Sequence, residues 1–169
     1  MTAQLTFRRA DEDDLGTLVG LYDEAARWMA KRGIDQWKPG EKTEDHFRLR
    51  MKEGEVWLAH DGPAACGAYE LWWDDEPAWG VRPPDAGYVH RLMVRRGAPA
   101  GTGRALLSHG EERIAATGRD LCRLDCVSTN PRLRAYYESA GYAVVGEQPF
   151  KAGAGGSKYA VTLMEKRLA

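Results

Sequence analysis

The chain has 169 residues, of which 43% are hydrophobic and 29% charged, with a formal net charge of −1. That is the composition of one ordinary globular domain, expected to span 1–169, and it supplies no global field for nucleic acid or an anionic membrane. With neither a long apolar run nor a basic-then-apolar leader in the sequence, we expect no membrane span, no secretory signal and a cytoplasmic location.

Leu5 to Arg8 reads as a first strand. Ala10 to Asp14 then gives an acidic start to a helix with the apolar stripe Leu15, Leu18, Val19, Tyr22, Ala26 and Met29, stopped by Gly33. Gly33 to Glu41 is a loop with an exposed-looking Trp37, and a second helix runs from Thr43, with Phe47 and Met51 inward, to Gly54. Glu55 to His60 and Ala65 to Trp73 form a hairpin around Asp61-Gly62-Pro63. Asp74 to Pro84, with its acids, prolines and Trp79, reads as a loop.

The most informative stretch is Ala86 to Leu107, AGYVHRLMVRRGAPAGTGRALL. It starts with strand-like alternation, passes through a loop of Arg, Gly, Ala and Pro, and opens into a helical pattern continued by Glu111, Ile114 and Ala115. A helix N-terminus carries unpartnered N–H groups and partial positive charge. Gly101 and Gly103 remove blocking Cβ atoms, Ala98, Ala100 and Thr102 keep the loop low, and Arg95, Arg96 and Arg104 flank it, so the stretch reads as a diphosphate cradle. A Walker loop is disfavoured because Arg104 and Ala105 follow Gly103, and a Rossmann loop because the full glycine fingerprint is missing.

Downstream, a strand over Leu121 to Val127 ends in Ser128, Thr129 and Asn130, and a helix from Pro131 carries Tyr136 and Tyr137 before Gly141. Tyr142 to Glu147 is a strand, Lys151 to Ser157 a glycine-rich mobile loop, and Lys158 to Lys166 a closing strand that sets Tyr159, Val161 and Leu163 against Ala160, Thr162 and Met164. Cys66, Cys122 and Cys126 have no metal-like spacing and read as small core residues in a reducing compartment, with no metal site expected. The element order suits a mixed, mostly antiparallel α+β sheet.

The strand YVHRLMV, the loop APAGTGRALL, the strand LCRLDCV and the segment NPRLRAYYESAGY together resemble the GCN5-related N-acetyltransferase (GNAT) superfamily. The likeness is strong in the C-terminal half and covers only the order of elements in the N-terminal half; Ala98 stands where the family usually has Gln or Arg. The resemblance implies a GNAT-type mixed sheet flanked by helices, with a V-shaped splay between its two central strands that takes the pantetheine arm of acetyl-CoA. Leu92, Met93 and Val94 would bond that arm, Val94 through Arg104, including Pro99, would wrap the diphosphate, and Asn130 would bond a pantetheine amide. Tyr137 falls at the family's general-acid position, and a phenol that stays protonated at neutral pH suits a leaving thiolate.

For the base, Tyr88 stands near the place of the family's usual Glu, which leaves His90, whose side-chain type changes charge near neutrality, and Glu70. Trp28, Trp37 and Trp72, together with Trp73 and Trp79, are candidate walls for the acceptor, and Asp35, Glu41, Asp74, Asp75 and Glu76 are candidate attractors of a cation. The expected activity is acetyl transfer from acetyl-CoA to a primary amine of a small molecule, aminoglycoside-like or amino-acid-derived, by direct attack in a ternary complex. The alternatives are a longer-chain acyl-CoA transferase and an idle acyl-CoA-binding sensor or partner module. No nucleic-acid or membrane partner is expected, and family likeness points to a homodimer.

Overall fold

The computed structural model describes residues 4–34, 36–152 and 158–168, with backbone alone for residues 150–152, 158 and 159. Asp35 and most of the predicted loop Lys151 to Ser157 therefore lie outside the described residues, as does the side chain of Tyr159. Among the described residues, seven strands and five helices follow the predicted order closely. The chain forms two compact units that interleave in sequence, Met1–Leu71 with Arg91–Ser108 and Trp72–His90 with His109–Ala169.

The first unit starts with β1 (Thr6–Arg9) and a 3-10 turn (Glu12–Asp14) closed by a capping box between Asp11 and Asp14. Helix α1 (Leu15–Lys31) follows, and α2 (Glu44–Glu53) begins and ends at the predicted Thr43 and Gly54. The strands β2 (Glu55–Asp61) and β3 (Ala64–Trp72) pair as the expected hairpin, and the order β1-β2-β3-β4 brings in the second half of β4 (Ala86–Val94). Leu15, Leu18, Tyr22 and Ala26 of α1 and Phe47 of α2 bury their apolar stripe on Val56, Leu58, Ala68 and Met93. Trp37 differs from expectation: it packs on this core and stacks on the Tyr22 ring, centroids 4.9 Å apart, because a large aromatic between turns gains more from burial than from solvent.

In the second unit the order is β4-β5-β7-β6, with β5 (Leu121–Val127), β6 (Ala143–Ala152) and β7 (Lys158–Arg167). Strands β4 and β5 run parallel, whereas β1 with β2, β2 with β3, β5 with β7 and β6 with β7 are antiparallel, giving the mixed, mostly antiparallel sheet expected. The parallel ladder joins Ala86, Gly87 and Tyr88 to Leu121, Cys122 and Arg123, and Val89 and His90 then part from β5, which stays paired to β7 through Val127. This is the splay between the two central strands. Val161, Thr162, Leu163 and Met164 of β7 are all buried rather than alternating, so both faces of this strand are covered.

Two further expectations change. The stretch Asp74 to Pro84 contains a helical turn, α3 (Glu76–Trp79), with Pro77 in its first turn, and it buries Ala78 and Trp79. Pairing to β7 also carries β6 past Glu147 to Ala152, so Lys151 and Ala152 are strand residues. Helices α4 (Thr102–Ala116) and α5 (Pro131–Ser139) follow β4 and β5 respectively. Among the described residues no helix is long and apolar enough to cross a membrane.

Candidate active site

Turn chemistry shapes the loop between β4 and α4. The Arg95 N–H donates to the Cys66 carbonyl at 2.9 Å, tying the loop's start to β3, and the Ala98 N–H returns to the Arg95 carbonyl at 3.1 Å. Thr102 is the hinge into the helix: its N–H and its hydroxyl both donate to the Pro99 carbonyl, at 3.2 and 2.7 Å, and its side chain is buried. Gly101 has φ +85, the left-handed region that favours glycine, and its carbonyl accepts the Ala105 N–H at 3.0 Å as the helix starts. The predicted contacts Arg95 through Arg104 thus form one turn opening onto a helix N-terminus, with Ala100, Gly101 and Arg104 exposed.

Arg95 and Arg96 are both hydrogen-bonded to backbone carbonyls. Arg95 Nη1 donates to the Ala65 carbonyl at 3.3 Å and Arg96 Nη2 to the Val94 carbonyl at 2.9 Å. The Arg96 N–H reaches Glu24 of α1 at 2.6 Å, and the guanidinium lies 4.7 Å from the Trp28 ring centroid, with Arg32 at 4.2 Å from the same ring. Trp28 therefore packs against the loop's flanking charges.

On β4, Met93 is buried in the first core, while Leu92 and Val94 are half-buried. Arg91 breaks the strand with φ 47, a left-handed conformation that costs a non-glycine residue about 1 kcal/mol. Its guanidinium lies 3.6 Å from Glu70, which is fully buried and also meets His46 Nε2 at 3.0 Å. Burial pulls the His46 imidazole below its usual range against the pull of Glu70, so a neutral ring donating to the carboxylate fits. Burial and the neighbouring Arg91 charge likewise lower the Lys42 ammonium.

In the second unit, Asn130 caps α5: its Oδ1 accepts the Leu133 N–H at 3.2 Å. Further along the same helix, Tyr137 is 9% exposed and edge-on to both Tyr136 and Tyr142. Burial first, then Tyr136, Cys126 and the Asp125 carboxylate, push the Tyr137 hydroxyl well above the usual phenol range, so it stays protonated. The thiols behave as core residues: burial pushes Cys122 up to about 12 and Cys126 to about 11. Cys122 Sγ also accepts from the Tyr142 hydroxyl at 2.9 Å. Neither is a nucleophile at neutral pH.

The period of two puts Tyr88 and His90 on one face of β4, and Arg123 and Asp125 on the matching face of β5. Arg123 ties the lower row together, donating to the Tyr88 hydroxyl at 2.9 Å and to Glu165 at 2.8 Å. In the next row the ladder has ended. There His90 Nε2 lies 2.8 Å from a carboxylate oxygen of Asp75, off the line of a regular hydrogen bond, and the Trp72 ring covers the imidazole at 3.7 Å between centroids. Ligand atoms of Asp75, His90 and Asp125 all lie within 4.8 Å of one another. Asp75 stands at the N-cap of α3, so the helical turn unseen in the sequence is what delivers it. Sequence reasoning misses Asp125 because alternation alone gives a carboxylate in a strand no role; the pairing register supplies it.

Three comparisons bear on identity. Among curated proteins, the chain is 29% identical over 144 residues to the uncharacterized N-acetyltransferase YesJ of Bacillus subtilis (strain 168), and the match covers 79% of each protein. The GNAT family acetyltransferase structure from Listeria monocytogenes 4b F2365 matches with a TM-score of 0.78 at 25% identity over 99% of both chains. The structure of yncA from Salmonella typhimurium, which holds its cofactor acetyl-CoA, shares the fold with a TM-score of 0.69 at 18% identity over 98% of this chain and 94% of that one. The sequence profile described as the acetyltransferase (GNAT) family matches residues 18–142, and the chain belongs to that family.

Proposed function

We propose that the protein transfers the acetyl group of acetyl-CoA to a primary amine of a small molecule by direct attack in a ternary complex. The observation that carries this reading is Tyr137, a buried hydroxyl kept protonated on a helix whose N-cap is Asn130, in a chain of an acetyltransferase family. The loop Arg95 to Arg104 would hold the diphosphate, Leu92 to Val94 and Asn130 the pantetheine arm. Acetyl-CoA supplies the activated acyl group.

In this reading the acceptor arrives as an ammonium and sheds one proton to His90. Its nitrogen lone pair forms the C–N bond at the thioester carbonyl and the C–S bond breaks. Tyr137 gives its proton to the departing thiolate and regains one, through solvent, from the new amide nitrogen. Glu70, held by His46, is the second candidate base. No nucleophilic side chain is needed, in keeping with the raised Cys122 and Cys126 thiols.

The test is calorimetric titration with acetyl-CoA followed by thiol release against a panel of small amines. Saturable binding with thiol release that an amine class accelerates supports the reading. Saturable binding that no amine accelerates favours an acyl-CoA-binding module, and faster turnover of a longer acyl-CoA favours a different acyl donor.

A further inference from the structure

Arg91 holds a left-handed backbone inside β4, and strain of that kind at a non-glycine residue persists only where the surroundings impose it. The guanidinium it presents is incompletely used. Its Nε is buried without a hydrogen bond, and the carboxylate it faces, Glu70, stands 3.6 Å away and meets His46 at 3.0 Å instead. A second cation lies beside it: Lys42 feels the Arg91 charge, and it feels Glu70 and Glu41 without a hydrogen bond to either. Glu41 in turn accepts from the Tyr22 hydroxyl at 2.9 Å and from the Lys38 N–H at 3.1 Å. The two cations thus keep donors in reserve while the carboxylates around them are engaged. Arg91 and His46 have 19% and 18% of their side chains open to solvent, and Lys42 is half-buried, so a solute can reach the group.

An anion between Arg91 and Lys42 would use those donors and offset the repulsion between the two charges. Position says whose anion it is. In the reading above Leu92 to Val94 hold the pantetheine arm and Arg95 to Arg104 the diphosphate, so Arg91 precedes the cofactor segment at the end away from the phosphates. It also stands beside Glu70, one of the two candidate bases, so an anion there accompanies the acceptor amine. We propose that Arg91 and Lys42 bind a carboxylate of the acceptor, so that the preferred acceptor is an α-amino acid rather than the amine that its decarboxylation would give. This rests on the reading of the chain as an amine acetyltransferase. Charge balance agrees with it. Arg91 and Lys42 against Glu70 and Glu41 make an even set, which a zwitterion leaves even and a simple ammonium does not.

The experiment needs no variant to begin. Thiol release by the wild-type protein is measured with the standard amino acids and with the amines that their decarboxylation gives. For the best-used pair, kcat/KM should be at least about tenfold higher for the amino acid. Arg91→Gln should then raise KM for that amino acid by about 10- to 100-fold, and Arg91→Lys, which keeps the charge without the fork, should recover part of the loss. Lys42→Gln, in the segment before α2, should raise the same KM and takes the place of Arg91→Gln if that variant does not fold. Calorimetric titration should find the acetyl-CoA affinity of these variants close to the parent's. Equal use of the two members of a pair, preference for the decarboxylated amine, or an unchanged KM in the folded variant overturns the proposal. So does acetyl-CoA affinity lost in step with KM, since the anion would then be the cofactor's. A wild-type protein that binds acetyl-CoA but transfers to no member of either set sinks this proposal together with the reading beneath it, whereas transfer without preference sinks this proposal alone.

Discussion

Gly67 lies so close beneath α4 that a Cβ there would stand 2.8 Å from Leu106 Cδ1 and 2.9 Å from the Met93 carbonyl oxygen. The Leu106 methyl can rotate away, but the carbonyl is backbone and cannot. Gly67→Ala should therefore lower stability by about 1–3 kcal/mol and, because α4 carries the loop from Arg95 to Arg104, weaken acetyl-CoA binding as well. Denaturant unfolding and calorimetric titration check both, and an unchanged midpoint with an unchanged Kd would contradict the close packing of Gly67 on α4.

Tyr137→Phe removes a hydroxyl that burial keeps protonated. The variant should keep its acetyl-CoA affinity and lose about 100-fold in kcat, by the same factor at every pH from about 6 to 9, because a phenol raised in this way does not ionise in that range. Steady-state thiol release across pH measures it, and a parent-like rate would remove Tyr137 as the acid.

His90→Ala and Glu70→Gln separate the two candidate bases. If His90 takes the acceptor's proton, its loss should lower kcat/KM by about 100-fold, while Glu70→Gln stays within a few-fold of the parent. The reverse pattern would assign the role to Glu70, the carboxylate shared by His46 and Arg91.

Asp14 is a stability prediction outside the site. Arg8 grips it with two hydrogen bonds, at 2.6 and 2.7 Å, and this first, then the Asp11 N–H at 2.8 Å, holds its carboxyl below the usual range despite burial. A depressed folded pKa stabilises above the unfolded value, near 3.9, and that stabilisation is lost as pH falls through the folded value. Asp14→Ala should thus cost about 2 kcal/mol near pH 7. The gap between parent and variant should close in acid as Asp14 protonates. Urea unfolding at pH 7 and below pH 4 measures the closure, and a gap independent of pH would refute it.

Legibility in the sequence follows the range of the forces involved. Helix α2 between Thr43 and Gly54, and β5 over Leu121 to Val127, are set by boundary residues and by local periodicity, and both are legible from the residues alone. The short turn α3 is not, because four residues are too few for a helical stripe; its formation depends on burying Ala78 and Trp79. Long-range strand pairing decides the rest: β7 from the end of the chain inserts between β5 and β6. The register of β4 on β5, which ends where Tyr88 pairs with Arg123, also brings Asp125 into the row of His90, and no local pattern carries that information. Arg91 is similar, since no propensity predicts a left-handed arginine inside a strand.

Asn130 has already committed one half of its amide. Oδ1 accepts the Leu133 N–H, and the amino group that the cap does not use is a donor suited to a ligand's carbonyl oxygen. Aspartate would cap equally well but present an acceptor where the donor was, so Asn130→Asp should keep the fold and reject the cofactor, a separation of the two duties that Asn130→Ala would not give.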